Sequence, residues 1–213
     1  MAPYFISHGL AMTRQYLRKI ISLLPLFTVC LLASIAQLVA AALPLAYDRI
    51  AILQGEWWRL LTGGWLHHNL NHLLMNLLAW GLIYLLLPQR LAGYRSVWLL
   101  ILQVALVDLF LFVLVPATRF YWGLSGALHG MFAICALLMI QQRERQGWWW
   151  LFGLFVKLGW DLLRTDSLTT ELIGTRVHVE SHVIGAISGV LTGLLLLLWY
   201  WRCAKEPTTP PAR

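Results

Sequence analysis

Two polar residues with catalytic side chains stand inside apolar sequence. Ser125 opens an apolar segment in the context Gly123-Leu124-Ser125-Gly126, and His182 lies within another apolar segment much later in the chain. A hydroxyl and an imidazole are the groups that a serine nucleophile and its general base require. Two other interpretations stay open at this point. A serine at a helix start is most often an N-cap, and a lone histidine in a membrane more often makes an interhelical hydrogen bond.

The elements that must position these groups are apolar helices. The 213 residues are 60% hydrophobic and 12% charged, with a mean hydropathy of +0.70, and apolar runs of about 20 residues indicate membrane spans. We expect an all-α polytopic membrane protein with a domain at 20–201, a cytoplasmic N-terminal segment at 1–19 and a cytoplasmic tail at 202–213. The six expected spans are Ile20 to Leu43, Leu66 to Leu87, Val97 to Val115, Ser125 to Ile140, Trp148 to Arg164 and Val177 to Trp201.

The net charge of +7 predicts an orientation rather than a nucleic-acid partner. If the spans alternate, most basic residues fall on one side, among them Arg14, Arg18, Arg143, Arg145 and Arg202. The positive-inside rule then places both termini in the cytoplasm.

The fourth span predicts the depth of Ser125. Its 16 residues, Ser125 to Ile140, extend over about 24 Å, whereas the hydrocarbon core is about 30 Å thick. If Ile140 lies at the cytoplasmic surface, Ser125 lies below the outer one. The free N–H groups and the dipole of a helix start could there stabilise an oxyanion.

The second span carries candidate oxyanion donors. His72 and Asn76 are four residues apart and share a helical face. His67 and His68 are polar enough to lie near the interface instead. A metal site at His68 and His72 is a lesser alternative, because catalytic zinc sites need three protein ligands.

Small residues predict how His182 approaches Ser125. Gly185 and Gly189 on the sixth span could pack closely against Gly126 and Gly130 on the fourth. Because His182 lies three residues before Gly185, this packing would bring its imidazole towards Ser125.

The charged residues of the spans have structural interpretations. Lys157 and Asp161, four residues apart, are expected to pair within one helix. Asp108 has no evident partner; it could face a water-filled interior or hydrogen-bond across helices.

Taken together, these motifs resemble those of the rhomboid intramembrane serine proteases over nearly the whole chain. The resemblance implies a six-helix rhomboid bundle and a Ser125–His182 dyad without an acidic third member, with no cofactor or metal. Consistent with that, Glu180 should point to another face than His182. The oxyanion hole would consist of His72, Asn76 and the Ser125 N–H. The residues that carry the resemblance are Trp58-Arg59, His72, Asn76, Gly123, Ser125, Gly126, His182, Gly185 and Gly189. We expect the four glycines among them, Gly123, Gly126, Gly185 and Gly189, to pack at helix contacts, and Trp58-Arg59 to have a structural role in the loop.

His129 departs from the family pattern. Well-studied members often have a tyrosine there, which stacks on the catalytic histidine. We expect His129 to orient His182 by stacking or hydrogen bonding. The alternative that His129 is itself the base stays open.

The segments Gly-Leu-Ser-Gly-Ala-Leu-His-Gly and Glu-Ser-His resemble the bacterial subgroup called rhombosortases. That resemblance implies a bacterial inner-membrane protease acting on membrane-anchored substrates, secreted proteins with a C-terminal Gly-Gly-type tail. The alternatives are an inactive rhomboid-like protein that binds membrane clients and a small transporter or channel. Transporters more often show broken helices or paired half-repeats.

Overall fold

The computed structural model describes residues 2–163 and 168–205, and side chains within 17–163 and 168–203. Arg164, where the fifth expected span ends, and residues 206–213 of the expected tail lie outside the described residues. The elements in chain order are α1 Ala2–Val39, β1 Tyr47–Asp48, α2 Arg49–Leu53, α3 Arg59–Thr62, α4 Leu70–Leu85, α5 Tyr94–Leu114, β2 Phe120–Tyr121, α6 Ser125–Gln141, α7 Gln146–Leu163, α8 Leu168–Ile173 and α9 Val179–Lys205.

Six of these helices coincide with the expected apolar segments, but the six helices differ from one another in length. Of the described helices, three are long and apolar enough to cross a membrane, namely those containing Leu17–Val39, Tyr94–Leu114 and Val179–Cys203. Leu70–Leu85 and Ser125–Gln141 are shorter apolar helices. The structure therefore supports a mostly helical protein with three candidate spans, and the count of six stays a prediction.

Helix α6 lies at the centre of the bundle. It packs against α9, α7, α5 and α4, so its apolar side chains have neighbours on every face and need no amphipathic pattern. Its fully buried core residues include Met131, Ile134 and Leu138. The helix that starts at Ser125 is thus held on all sides.

Glycines allow α6 and α9 to approach closely. A Cβ added at Gly185 would overlap the carbonyl oxygen of Gly126, and one at Gly189 would overlap that of Gly130. Only small residues permit such backbone contact between helices. The predicted faces therefore do meet in the structure.

A polar group from α5 braces the same helix crossing. The buried Gln103 donates to Thr192 Oγ1 at 3.0 Å and accepts from Ser188 Oγ at 2.7 Å. Interhelical hydrogen bonds of this kind contribute about 0.6 kcal/mol each in a membrane. They connect α5 to α9 beside the glycine contacts.

Two short antiparallel strands position the chain before α6, although the sequence predicts an all-α protein. Tyr47 pairs with Tyr121 and Asp48 with Phe120. The Tyr121 hydroxyl then donates to the Gly123 carbonyl at 2.7 Å. The loop after α1 thereby supports the turn that leads into Ser125.

Trp58 and Arg59 hold that loop together. Trp58 Nε1 donates to the Pro44 carbonyl at 3.1 Å, and Arg59 donates to Glu56 at 2.7 Å and to the Ala46 carbonyl at 2.6 Å. These contacts are internal to the loop, as the structural role inferred for the pair requires.

Asp108 makes a cross-element contact. Its side chain is fully buried, and Oδ2 accepts the Gly64 backbone N–H at 3.1 Å. Gly64 belongs to a 3₁₀ turn, Gly63–Trp65, just before α4. The hydrogen-bonding alternative for Asp108 is the one that the structure displays.

Candidate active site

Ser125 is the first residue of α6, and its hydroxyl faces α9. The N-cap is Leu124, and Ser125 Oγ lies 2.9 Å from His182 Nε2. Both residues line a cavity of about 280 Å³. The hydroxyl thus pairs with the imidazole, and the N-cap position belongs to its neighbour.

The opposite edge of the His182 ring contacts a carboxylate. Nδ1 lies 2.8 Å from Asp161 Oδ2 on α7, and a carboxylate accepts, so Nδ1 carries the proton. Nε2 is then the unprotonated nitrogen and accepts the hydrogen bond of the Ser125 hydroxyl. This is the tautomer that a general base needs.

The family resemblance implies no acidic group beside His182, but the structure places Asp161 there. The expected pair with Lys157 does form, since Lys157 Nζ donates to both carboxylate oxygens. Because this pair within α7 already accounts for the charge of Asp161, the sequence does not indicate its second partner, His182, which lies on α9. Glu180, by contrast, has a side chain that is 59% exposed and lies 3.5 Å from His178.

His129 stacks on His182 from within α6. The ring centroids are 4.1 Å apart and the planes differ by 17°. His129 Nδ1 also donates to the Ser125 carbonyl at 2.7 Å. His129 therefore occupies the position from which it can orient His182, while the contact with the Ser125 hydroxyl belongs to His182.

His72 and Asn76 line the same cavity as Ser125. The Asn69 side chain accepts the His72 N–H at 2.9 Å and so caps α4. Asn76 Nδ2 donates one hydrogen to the His72 carbonyl at 3.1 Å, which leaves its second N–H free to donate. A long contact of 3.5 Å from the His68 N–H to His72 Nδ1 favours the proton on Nε2.

Gly123 brings these donors close to the start of α6. Its φ of +115° lies in the left-handed region that favours glycine. A Cβ there would lie 2.6 Å from His72 Cε1 and 3.7 Å from Asn76 Nδ2. Gly123 therefore acts in the turn beside the donors, whereas Gly126, Gly185 and Gly189 lie in the helix contact.

The other two histidines of this region differ from each other in burial, because His67 is buried whereas His68 is exposed. His67 is buried, and its ring packs edge-on against His72 with centroids 5.1 Å apart. His68 packs against Trp122 and lines the cavity. The ring of His67 therefore packs beside His72, while the exposed His68 keeps a position that agrees with the expected place near the interface.

A metal ion does not suit the cluster formed by His129, Asp161 and His182. One ligand atom of each lies within 4.8 Å of the others, but the two imidazoles are stacked. Their lone pairs lie in nearly parallel ring planes and cannot converge on one ion, and the Lys157 ammonium already occupies the carboxylate. A hydrogen-bonded serine site fits these positions better.

The sequence of the chain is similar to that of one protein family. A family model described as "Rhomboid domain" matches residues 54–199. A similar protein of Bacillus subtilis (strain 168), named "Putative rhomboid protease YdcA", is 25% identical over 149 residues, which cover 68% of this chain and 70% of that protein. The family match spans more than half of the chain and includes every residue of the candidate site. The chain therefore belongs to the rhomboid family.

Proposed function

We propose that this protein is an intramembrane serine endopeptidase with Ser125 as nucleophile and His182 as general base and acid. The observation that carries the proposal is the 2.9 Å hydrogen bond between Ser125 Oγ and His182 Nε2, which lies in a cavity of about 280 Å³. The rhomboid family suggests this class of activity. The alternative is an inactive rhomboid-like protein that binds membrane clients, and the experiment below distinguishes the two.

The proposed reaction has an acylation and a deacylation step, and His182 transfers a proton in each of them. Ser125 Oγ attacks the scissile carbonyl carbon and transfers its proton to His182 Nε2. The C–N bond then breaks, and His182 returns the proton to the leaving amine. Water, deprotonated by His182, hydrolyses the acyl-enzyme and restores the Ser125 hydroxyl.

The oxyanion formed in both steps needs donors close to the carbonyl carbon. We assign them to the Ser125 N–H, His72 Nε2–H and Asn76 Nδ2–H. The first is free because the opening N–H groups of a helix have no intrahelical partner. The other two come from side chains that line the cavity.

The proposed substrates are membrane-anchored proteins, specifically those with a C-terminal Gly-Gly-type tail. A helical segment must unwind before its backbone can reach Ser125, and each glycine lowers that cost by about 1 kcal/mol relative to alanine. Glycines also let the backbone approach a recessed hydroxyl. In this proposal the six helices cross a bacterial inner membrane with both termini in the cytoplasm.

Co-expression with a tail-bearing reporter tests the proposal. We expect the wild type to process a Gly-Gly tail and not a matched tail in which leucines replace the two glycines, while Ser125→Ala processes neither. Equal processing by Ser125→Ala would overturn the protease assignment. Equal processing of both tails would overturn the Gly-Gly specificity alone. Stable capture of the tail without cleavage would favour an inactive client-binding protein.

A further inference from the structure

The carboxylate of Asp161 lies on the edge of His182 that faces away from Ser125. The Nδ1–Oδ2 distance is 2.8 Å, and the side chains of His182 and Asp161 are only 7% and 8% exposed. A charged hydrogen bond at this distance and depth is among the strong ones. It fixes both the tautomer and the rotation of the imidazole.

Lys157 lies one helical turn before Asp161 and donates to both oxygens of the same carboxylate. A single buried charge in an apolar helix bundle is costly, whereas an ion pair is tolerated. The Lys157 side chain is 47% exposed and lines the cavity. The pair therefore supplies His182 with an ionised acceptor at no net charge.

We propose that Asp161 is a positioning residue for His182 and that Lys157 keeps its carboxylate ionised and oriented. This inference rests on the proposed function and adds an acidic third member, held by a lysine, to the Ser–His pair. When His182 takes the proton of Ser125, Asp161 stabilises the imidazolium. The oxyanion forms at the same time, so the site stays neutral overall, which favours the reaction in a poorly polarisable environment.

The geometry predicts an unusual outcome for Asp161→Asn. The amide has one oxygen, and the Lys157 ammonium can only donate, so it draws that oxygen towards itself. The amide NH₂ group then faces His182 and donates to Nδ1, which moves the imidazole proton to Nε2. In this tautomer His182 cannot accept the proton of Ser125.

Removal of Lys157 from that variant should therefore restore activity. In the double variant Asp161→Asn with Lys157→Met, the amide is free to turn its oxygen to His182 Nδ1–H, and the productive tautomer returns. If the ion pair were purely structural, removing Lys157 from the Asp161→Asn variant would restore no activity. The sign of the change distinguishes the two roles.

The experiment measures the rate of covalent labelling by a fluorophosphonate probe in full-length protein reconstituted in liposomes. We expect Asp161→Asn to lower the maximal labelling rate by a factor of about 10² to 10⁴, with little change in the probe concentration for half-maximal rate. The double variant should recover about tenfold, the equivalent of one hydrogen bond. Lys157→Arg should label faster than Lys157→Met, because its guanidinium can still pair with Asp161. Glu180→Gln, a matched carboxylate change near His182, should label like the wild type.

The controls separate this inference from the proposed function. Labelling of the wild type that persists in Ser125→Ala would overturn the proposed function itself. Labelling that depends on Ser125 but is unchanged in Asp161→Asn would overturn only the role of Asp161, as would a double variant that labels no faster than Asp161→Asn. If Asp161→Asn has a lower melting temperature than the wild type, the Lys157→Met single variant provides the test. Slower labelling of this variant supports the inference, and labelling at the wild-type rate overturns it.

Discussion

The imidazole of His129 stacks on that of His182, with ring centroids 4.1 Å apart and planes within 17° of parallel. His129 is fixed in turn, because its Nδ1–H donates to the Ser125 carbonyl. One residue of α6 therefore limits the rotation of the ring that must keep Nε2 directed at Ser125 Oγ. An aromatic pair of this kind contributes about 0.5–1.5 kcal/mol.

Loss of the His129 stack should slow the enzyme without abolishing its activity. We expect His129→Ala to lower the labelling rate by up to about tenfold, as the energy of the stack allows. His129→Phe, which keeps an aromatic ring and loses the hydrogen bond, should be less affected. The rate of labelling by a fluorophosphonate probe measures both.

His182→Ala is the matched control for that experiment. It should abolish labelling, because the Ser125 hydroxyl loses its base. Abolition by His129→Ala together with retention by His182→Ala would reverse the assignment and make His129 the base.

Truncation of the oxyanion donors should reduce turnover more than binding. Removing one such donor costs about 10²- to 10³-fold in kcat, so we expect Asn76→Ala and His72→Ala to lose about that factor with little change in KM. Cleavage of a tail-bearing reporter in liposomes gives both constants.

Asn71→Ala is the control on the same helix. The Asn71 side chain donates to the Leu172 carbonyl of α8 at 3.2 Å and does not line the cavity. A kcat loss for Asn71→Ala as large as that for Asn76→Ala would contradict the assigned oxyanion hole.

The contact between α6 and α9 should tolerate no added methyl group. A Cβ at Gly185 would overlap the Gly126 carbonyl oxygen, so Gly185→Ala must separate the helices that carry Ser125 and His182. Overpacking of this kind costs about 1–3 kcal/mol. We expect a lower melting temperature in detergent and slower labelling.

Gly153→Ala gives the comparison, because a Cβ there has nothing within 4 Å. It should leave both the melting temperature and the labelling rate near wild-type values. The account of the helix contact fails if Gly185→Ala behaves in the same way.

Local sequence chemistry was sufficient to single out Ser125, His182, His72 and Asn76, because each is a polar group at a distinctive spacing in apolar sequence. The glycines at 126 and 185 indicated which helices meet, and the structure places them in contact. The role of Gly123 was misjudged, since a positive φ in a turn leaves no periodic pattern.

Asp161 was missed for a physical reason. Its spacing from Lys157 gave a complete local explanation, and the contact with His182 depends on how α7 packs against α9. A charged pair four residues apart within an apolar segment is the signal that could have indicated a polar partner on another helix. The β1–β2 ladder was also missed, because two-residue strands carry no alternating pattern.

The most direct measurement is the mass of the peptide containing Ser125 after the purified protein has reacted with a fluorophosphonate probe. We expect one adduct on Ser125 in the wild type, and none in Ser125→Ala or His182→Ala variants that melt like the wild type. An adduct on another residue, or wild-type protein that cleaves a tail-bearing reporter without Ser125 becoming modified, would contradict Ser125 as the nucleophile.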